Sequence, residues 1–277
     1  MYRYRFQNQK KLNKSLNFLI ESQGWPSETI EDYQFNKLRS LIDYAYENIP
    51  YYQEIFNKIQ LKPQDINQLQ DIKHIPILTK KDIRKNFDRM IDSTANIDKL
   101  KLNFTGGSTG IPLKFYHDEN YLDKADAMRI RNWKYHVGFD KSEKEAILWG
   151  DARDIHNSFS VKKIIKFLVY GNIELNTFNI NEEKLIAFFK KYNFVKPKIL
   201  RGYASSLFFA AEIINNKNLK VNPPKSIISS AETLSNKMRE YIEDTFRAKV
   251  YNSYGSREVS QIAMECKYGN MHLSSEN

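Results

Sequence analysis

Cysteine is almost absent: Cys266 is the one thiol in 277 residues. A framework of internal disulfides is therefore excluded, and the chain suits a reducing compartment. Long apolar runs are missing too. No stretch approaches the roughly 20 consecutive apolar residues that a membrane-crossing helix needs. Near the basic N-terminus, Asn17-Phe18-Leu19-Ile20 is too short an apolar centre for a secretory leader. These features read as a cytoplasmic protein, with attachment to a membrane surface left open. Glycine and proline are sparse, at 10 and 8 residues. No low-complexity linker or internal repeat interrupts the chain, and Pro223-Pro224 is its sharpest break.

Acidic residues are in deficit: Asp and Glu total 33 against 43 Lys and Arg, a formal net charge of +10. The lysines alternate with Glu and Asp along helical stretches, as solvated helix faces do. No signature of a nucleic-acid-binding module is present. What the chain does have is apolar material for a core, 41% hydrophobic and 13% aromatic residues, so it folds.

Three of the ten glycines fall in one short stretch, 102–116, as Gly106, Gly107 and Gly110. Thr105, Ser108 and Thr109 sit among them, and apolar residues flank both sides, predicting strand, tight loop, strand. Glycine admits positive φ and close approach of a ligand to the backbone. Successive N–H groups and hydroxyls in such a loop form a concavity for anions. A Walker A loop is excluded, because Ile111 stands where its second glycine belongs; a Rossmann Gly-x-Gly-x-x-Gly is absent. A plain hairpin turn is the alternative reading of the residues.

Periodicity predicts helices over 8–23 and 28–48, the second with Ile30, Tyr33, Leu38, Leu41, Ile42 and Ala45 on one face and Ser27 as its cap. Pro50 ends that helix. Thr79 and Asp82 cap a further helix. A long helix is expected over 118–137. Strands at 146–149, 173–178, 198–202, 226–230 and 249–253 then alternate with helices at 160–169, 182–192, 205–216 and 236–246. Ser235 is the expected cap of the last. The alternation predicts an α/β fold: βαβ units forming a mainly parallel sheet flanked by helices. Ligands in such sheets bind beyond the carboxyl ends of strands. Four strand ends offer candidates. Ser229-Ser230-Ala231-Glu232 follows one strand and Tyr254-Gly255-Ser256-Arg257-Glu258 the next, each readable as a plain loop or turn. Trp149, Asp151 and Tyr203 hold strand-end positions that suit a substrate pocket. Cys266 and His272 make two zinc ligands of four, a weaker reading than a buried thiol and a surface histidine.

Five segments in order carry a resemblance: Tyr44-Ala45-Tyr46-Glu47-Asn48-Ile49-Pro50-Tyr51-Tyr52, Pro76-Ile77-Leu78-Thr79-Lys80-Lys81-Asp82-Ile83-Arg84, Thr105-Gly106-Gly107-Ser108-Thr109-Gly110-Ile111-Pro112-Leu113-Lys114, and the two strand-end motifs above. They resemble the adenylate-forming superfamily, in its phenylacetate–CoA ligase branch, which includes capsule-biosynthesis proteins of CapK type. The resemblance implies a ligase that joins a small-molecule carboxylate to ATP and passes the acyl group to coenzyme A or another acceptor. It implies that Thr105 to Gly110 hold the β- and γ-phosphates, with Thr109 and Glu258 at the reacting centre. Ala231 and Glu232 would meet the adenine by their backbone, with Tyr254 against its ring and Gly255, Ser256 and Arg257 beside the nucleotide. Glu258 would bind Mg²⁺. The alternative is a catalytically degenerate, nucleotide-binding relative in surface-polysaccharide synthesis. Nucleic acid is not an expected partner, and the oligomeric state is left open. Two departures stand out: Arg257 replaces the usual Ser or Thr, and Lys114 follows Leu113 rather than proline. The resemblance further implies a ribose-binding aspartate and a mobile C-terminal domain with a catalytic lysine. Neither is found, so the expectation is a helical segment at 1–60 and an incomplete adenylation core at 61–277.

Overall fold

The structure, a computed structural model, describes residues 9–105, 111–139, 143–150 and 171–276. The chain divides into two compact units, Met1–Met128 with Ser275–Asn277, and Arg129–Ser274. This division rests on compactness and is separate from the pattern-based division at residue 60.

In the first unit the helices are α1 (Gln9–Ser22), α2 (Ser27–Asn48), α3 (Pro50–Lys58) and α4 (Lys80–Asn86). Ser27 is the first helical residue of α2 and not its cap; Pro26, extended at φ −60 and ψ 155, holds that position without a side-chain bond. Pro50 does stop α2, and it also starts α3 at the position where its missing N–H costs nothing. Ile42 of α2 packs with Phe56 and Ile66, ringed by Phe35, Leu38 and Tyr46. Leu41, expected on that face, is 63% exposed, because the buried stripe runs through Phe35, Leu38, Ile42 and Tyr46. Thr79 caps α4 as expected: its Oγ1 accepts the Asp82 N–H at 3.2 Å, and its own N–H donates to Asp82 Oδ2 at 3.1 Å. The Thr79 hydroxyl and then the Thr79 N–H, both donating to Asp82 Oδ2, hold the Asp82 carboxyl below its usual range. Strands β1 (Lys101–Phe104) and β2 (Lys114–His117) pair antiparallel, Phe104 opposite Lys114.

Helix α5 (Glu119–Asn132) begins in the first unit and ends in the second, where a π-helical turn, Trp133–Val137, continues it to Gly138 at φ 71. The second unit then alternates as the sequence predicts. Its elements are β3 (Glu145–Leu148), β4 (Ile173–Leu175), α6 (Glu182–Val195), β5 (Ile199–Tyr203), α7 (Ala204–Asn216), β6 (Ser226–Ser230), α8 (Asn236–Phe246), β7 (Val250–Ser256), β8 (Ser260–Glu265) and β9 (Met271–Leu273). The helix expected at 160–169 lies outside the described residues. β4 stops short of Phe178 because Asn176 Oδ1 accepts the Phe178 N–H at 2.9 Å, an Asx-turn.

The seven strands lie in the order β4-β3-β5-β6-β7-β8-β9. The first five are parallel, and β8 and β9 add on antiparallel. Alternate residues serve opposite faces. Leu200, Ile227 and Val250 join one core with Leu185, Phe188 and Phe189 of α6, Leu207 of α7 and Ile242 of α8. Ile199, Ile228 and Tyr251 join another with Trp133, Val137 and Phe139. Continuous apolar runs at Ile199-Leu200 and Ile227-Ile228 follow from burial on both faces. Ser235 caps α8, accepting the Met238 N–H at 3.2 Å. No helix among the described residues is long and apolar enough to cross a membrane.

Phe189 sits at the centre of the larger core, with ring centroids 5.4 to 6.0 Å from Phe188, Tyr192 and Phe246. Phe189→Ala should lower unfolding free energy by about 3–5 kcal/mol, read as a shift of the urea midpoint at unchanged slope.

Candidate active site

The chain leaves β3 toward β4 on one side and later runs β5, β6, β7 toward the other. Strand order therefore reverses between β3 and β5, and the crevice beyond their carboxyl ends is where an open α/β sheet binds ligands. Trp149 and Tyr203 meet there, ring centroids 4.2 Å apart at 35°. The Tyr203 hydroxyl donates to the Gly150 carbonyl at 3.2 Å. Beneath them Arg201 places its guanidinium 5.3 Å from the Trp149 ring and 5.6 Å from the Trp133 ring. Its Nε donates to Glu145 Oε1 at 2.7 Å, from a carboxylate side chain only 6% exposed. Arg201 was not singled out from the sequence, although a residue two positions before Tyr203 in a strand must share its face. Asp151 lies outside the described residues.

One strand further on, Ala231 adopts φ 69, a left-handed conformation that costs a non-glycine residue about 1–2 kcal/mol. The next side chain explains how it is held. Glu232 Oε2 accepts the Ser205 N–H at 2.8 Å, in the first turn of α7. That helix has no side-chain cap of its own and no acidic residue in its first turn. Glu232 thus supplies the negative charge that a helix N-terminus favours. Ser230 Oγ donates to the Ser253 carbonyl at 2.8 Å, tying β6 to β7. Contacts therefore run unbroken across neighbouring strand ends: Gly150 to Tyr203, α7 to Glu232, Ser230 to Ser253.

The Tyr-Gly-Ser-Arg-Glu motif was expected as a loop after a strand ending at Ser253. Instead β7 runs on to Ser256, and Arg257, Glu258 and Val259 form the turn of a β7–β8 hairpin. Tyr254 is 60% exposed. Gly255 stands at a register shift, and a Cβ there would lie 2.2 Å from the Ser260 carbonyl oxygen. Only glycine permits this approach. Ser256 Oγ accepts the Val259 N–H at 3.3 Å, and Ser260 closes the turn at φ 61. Arg257 and Glu258 are exposed on that turn. Below it, Glu265 accepts from Arg239 and from the Asn252 N–H, both at 2.8 Å.

In the first unit, Thr105 and Leu113 close the neck of the glycine-rich segment. The Thr105 N–H donates to the Leu113 carbonyl, and Thr105 Oγ1 accepts the Leu113 N–H, both at 3.0 Å. Arg84 of α4 donates to the Ile111 carbonyl at 2.7 Å. Gly106, Gly107, Ser108, Thr109 and Gly110 lie outside the described residues. Lys114 opens β2 with its ammonium 6.0 Å from the Phe87 ring.

Cys266 is buried, while His272 is exposed and stacks on His136 at 4.9 Å. Burial, then the neighbouring His272 and Arg131, push the His136 pKa down to about 4. Among the described residues no three His, Cys, Asp or Glu side chains gather as a metal site.

No protein-family model matches the chain. In three dimensions it resembles 2-hydroxyisobutyryl-CoA ligase, solved with 2-HIB-AMP and CoA: the TM-score is 0.70 at 17% identity, over 90% of this chain and 54% of that one. With the sequence relatives below, this makes the chain a member of the adenylate-forming ligase superfamily. Over 246 residues it is 30% identical to protein CapK of Staphylococcus aureus, covering 87% of this chain and 53% of CapK. It is 20% identical to phenylacetate-coenzyme A ligase of Pseudomonas putida over 246 residues, covering 86% of this chain and 54% of that protein. The chain thus spans about half the length of these relatives.

Two outcomes follow from the site's geometry. Gly255→Ala should distort the β7–β8 hairpin, lowering stability by more than about 1 kcal/mol and broadening the amide signals of 254–260. The depressed His136 pKa means that the unfolded chain binds the extra proton first as pH falls below about 6.5. Stability should therefore drop between that pH and about 4, and His136→Gln should flatten this part of a thermal-melt pH series.

Proposed function

We propose that this chain carries the nucleotide-holding core of an AMP-forming ligase. A carboxylate oxygen bonds to the α-phosphorus of ATP as pyrophosphate leaves, and the acyl-adenylate then passes its acyl group to coenzyme A or another acceptor as AMP leaves. The observation that carries this reading is the row of contacts along adjacent strand ends. It brings Trp149, Tyr203, Ala231, Glu232 and the stretch of β7 at Tyr254 to one end of one sheet. The relative named as a ligase, and the fold shared with a neighbour solved with 2-HIB-AMP and CoA, support it.

In this reading residues 61–277 form the adenylation core behind a helical segment at 1–60, and the protein works in the cytoplasm on small molecules. The exposed Tyr254 ring offers a face to adenine, and the fixed backbone at Ala231 and Glu232 offers it hydrogen bonds. The Trp149–Tyr203 pair borders the acyl group, with Asp151 beside it. Thr105 and the following residues to Gly110 cradle the phosphates, whose negative charge needs fixed donors. Thr109 and Glu258 act at the reacting centre, and Gly255 and Ser256 shape the turn that carries Glu258. Magnesium takes one or two carboxylates and completes its shell with phosphate oxygens and water, so Glu258 would supply one carboxylate. When bound it would spread the charge of the phosphates.

Arg257 favours a second reading. A guanidinium in place of a hydroxyl grips phosphate more strongly and leaves less room for metal at Glu258. A degenerate, nucleotide-binding relative in surface-polysaccharide synthesis would keep that grip and lose turnover. The two part in carboxylate-dependent pyrophosphate exchange. The ligase reading expects exchange, reduced about 10²-fold by Glu258→Gln at nearly unchanged ATP affinity. ATP binding without exchange for any carboxylate in a broad screen selects the degenerate relative. No ATP binding at all removes both.

A further inference from the structure

Parallel strands must all start at the same end of the sheet. In this sheet that end is basic, and it lies opposite the candidate active site. Lys144, Lys198, Lys225 and Lys249 each stand at the foot of a strand, before β3, β5, β6 and β7. The backbone joins them in sequence: Lys198 N–H to the Lys144 carbonyl at 2.9 Å, Lys225 N–H to the Lys198 carbonyl at 2.8 Å, Ile227 N–H to the Lys249 carbonyl at 2.9 Å. Strands about 4.8 Å apart set these four lysines in a row roughly 15 Å long. All four are exposed.

Their ammonium groups mostly meet carbonyls, which leave the charge in place. Lys144 Nζ reaches the Val195 carbonyl at 3.4 Å, and Lys249 Nζ reaches the Lys267 carbonyl at 2.5 Å. Lys225 donates to the Gly138 carbonyl and lies 3.9 Å from Glu143, a loose ion pair. The chain returning from each helix adds more positive charge at this end, as Lys196, Lys220 and Arg247. The β8–β9 turn adds Lys267. Lys217 is set aside, being paired with Glu182 at 2.8 Å. Among the described residues, acid at this end comes from Glu143, Glu174, Glu243, Asp244 and Glu265; Glu243 is occupied by the Val250 N–H at 2.7 Å and Glu265 by Arg239 at 2.8 Å.

Cations beside helix C-termini are stabilising without any ligand, but two aromatic side chains at the same end have no such role. Phe194 is 83% exposed and Tyr268 is 77% exposed. Phe194 is placed there by Asn193, whose amide donates to the Lys220 carbonyl and whose Oδ1 accepts from the Asn222 N–H. Tyr268 carries Lys267 over its ring at 4.9 Å. Exposed apolar rings set among lysines fit a surface that is anionic outside and apolar beneath.

We propose that the amino-end rim of this sheet docks on an anionic lipid bilayer, with Phe194 and Tyr268 entering the interface and the lysines facing headgroup phosphates. The strand carboxyl ends then face away into solution. The proposal is independent of the activity at those ends.

The test is co-sedimentation of the whole chain with vesicles of phosphatidylglycerol and phosphatidylcholine in equal parts, against phosphatidylcholine alone. Binding to the anionic vesicles only, weakened by salt, is expected. Lys198→Glu, Lys220→Glu and Lys267→Glu combined should weaken it at least about tenfold. Lys62→Glu, Lys73→Glu and Lys99→Glu, the same charge change on the first unit, should shift it less than about twofold. Phe194→Ser with Tyr268→Ser should weaken vesicle binding about threefold or more and leave binding to polyuridylate RNA unchanged. All the substituted side chains are exposed, and unchanged far-ultraviolet melts will verify folding. Absence of wild-type binding to anionic vesicles overturns the proposal, as does equal loss in the first-unit variant. Tighter binding to polyuridylate, with vesicle binding indifferent to the two aromatic changes, also overturns it and makes nucleic acid the partner.

Discussion

A parallel strand cannot be followed by a short turn into its neighbour; the chain must cross back over the sheet each time. Most of the second unit depends on that constraint. It requires the helices α6, α7 and α8, which cover one face and build the larger core. It also makes the two ends of the sheet chemically different. Carboxyl ends gather loops leading into helix N-termini, where backbone N–H groups point outward. Amino ends gather chain leaving helix C-termini, where lysines are stabilised. Because the strand order reverses between β3 and β5, the carboxyl end also has a crevice rather than a flat edge.

That edge is held by few interactions, each joining one strand end to the next. Glu232 has the largest share. Its carboxylate caps a helix that cannot cap itself, and the same bond fixes the backbone just past Ala231 in a conformation alanine does not choose. Strain of this kind persists only where surrounding contacts over-determine it, and it gathers at ligand sites. Gly255 is the corresponding device on β7, letting the β8 backbone pass where a side chain would collide. A ligand at the edge would thus meet a surface already set, not one that must be ordered on binding.

The sequence made the alternation of the second unit legible because its strands are short apolar runs between longer helical stretches. β6 and α8 begin and end where the pattern predicts, and Thr79 and Ser235 cap as expected, since a cap and its partner lie three residues apart. What escaped depends on distant partners. Glu232 and Ser205 are 27 residues apart, and the Arg201 pair with Glu145 spans 56, so no local pattern announces either. β8 and β9 escaped because an antiparallel edge strand with mixed polar residues has no strong period. Leu41 fell off the apolar face because a helical stripe is narrow, and a residue beside Ile42 need not share it. The alignment of lysines at the strand feet is invisible in sequence, where they lie 24 to 54 residues apart; only the parallel register brings them into a row.

The nucleotide is proposed to lie along the carboxyl ends of β5, β6 and β7. Hydrogen exchange with and without ATP and magnesium tests it most directly. Slowed exchange is expected at 105–110, 203–205, 230–232 and 254–258, with the amino ends of the same strands unchanged. Protection confined to other segments, or none at saturating ATP, would contradict it.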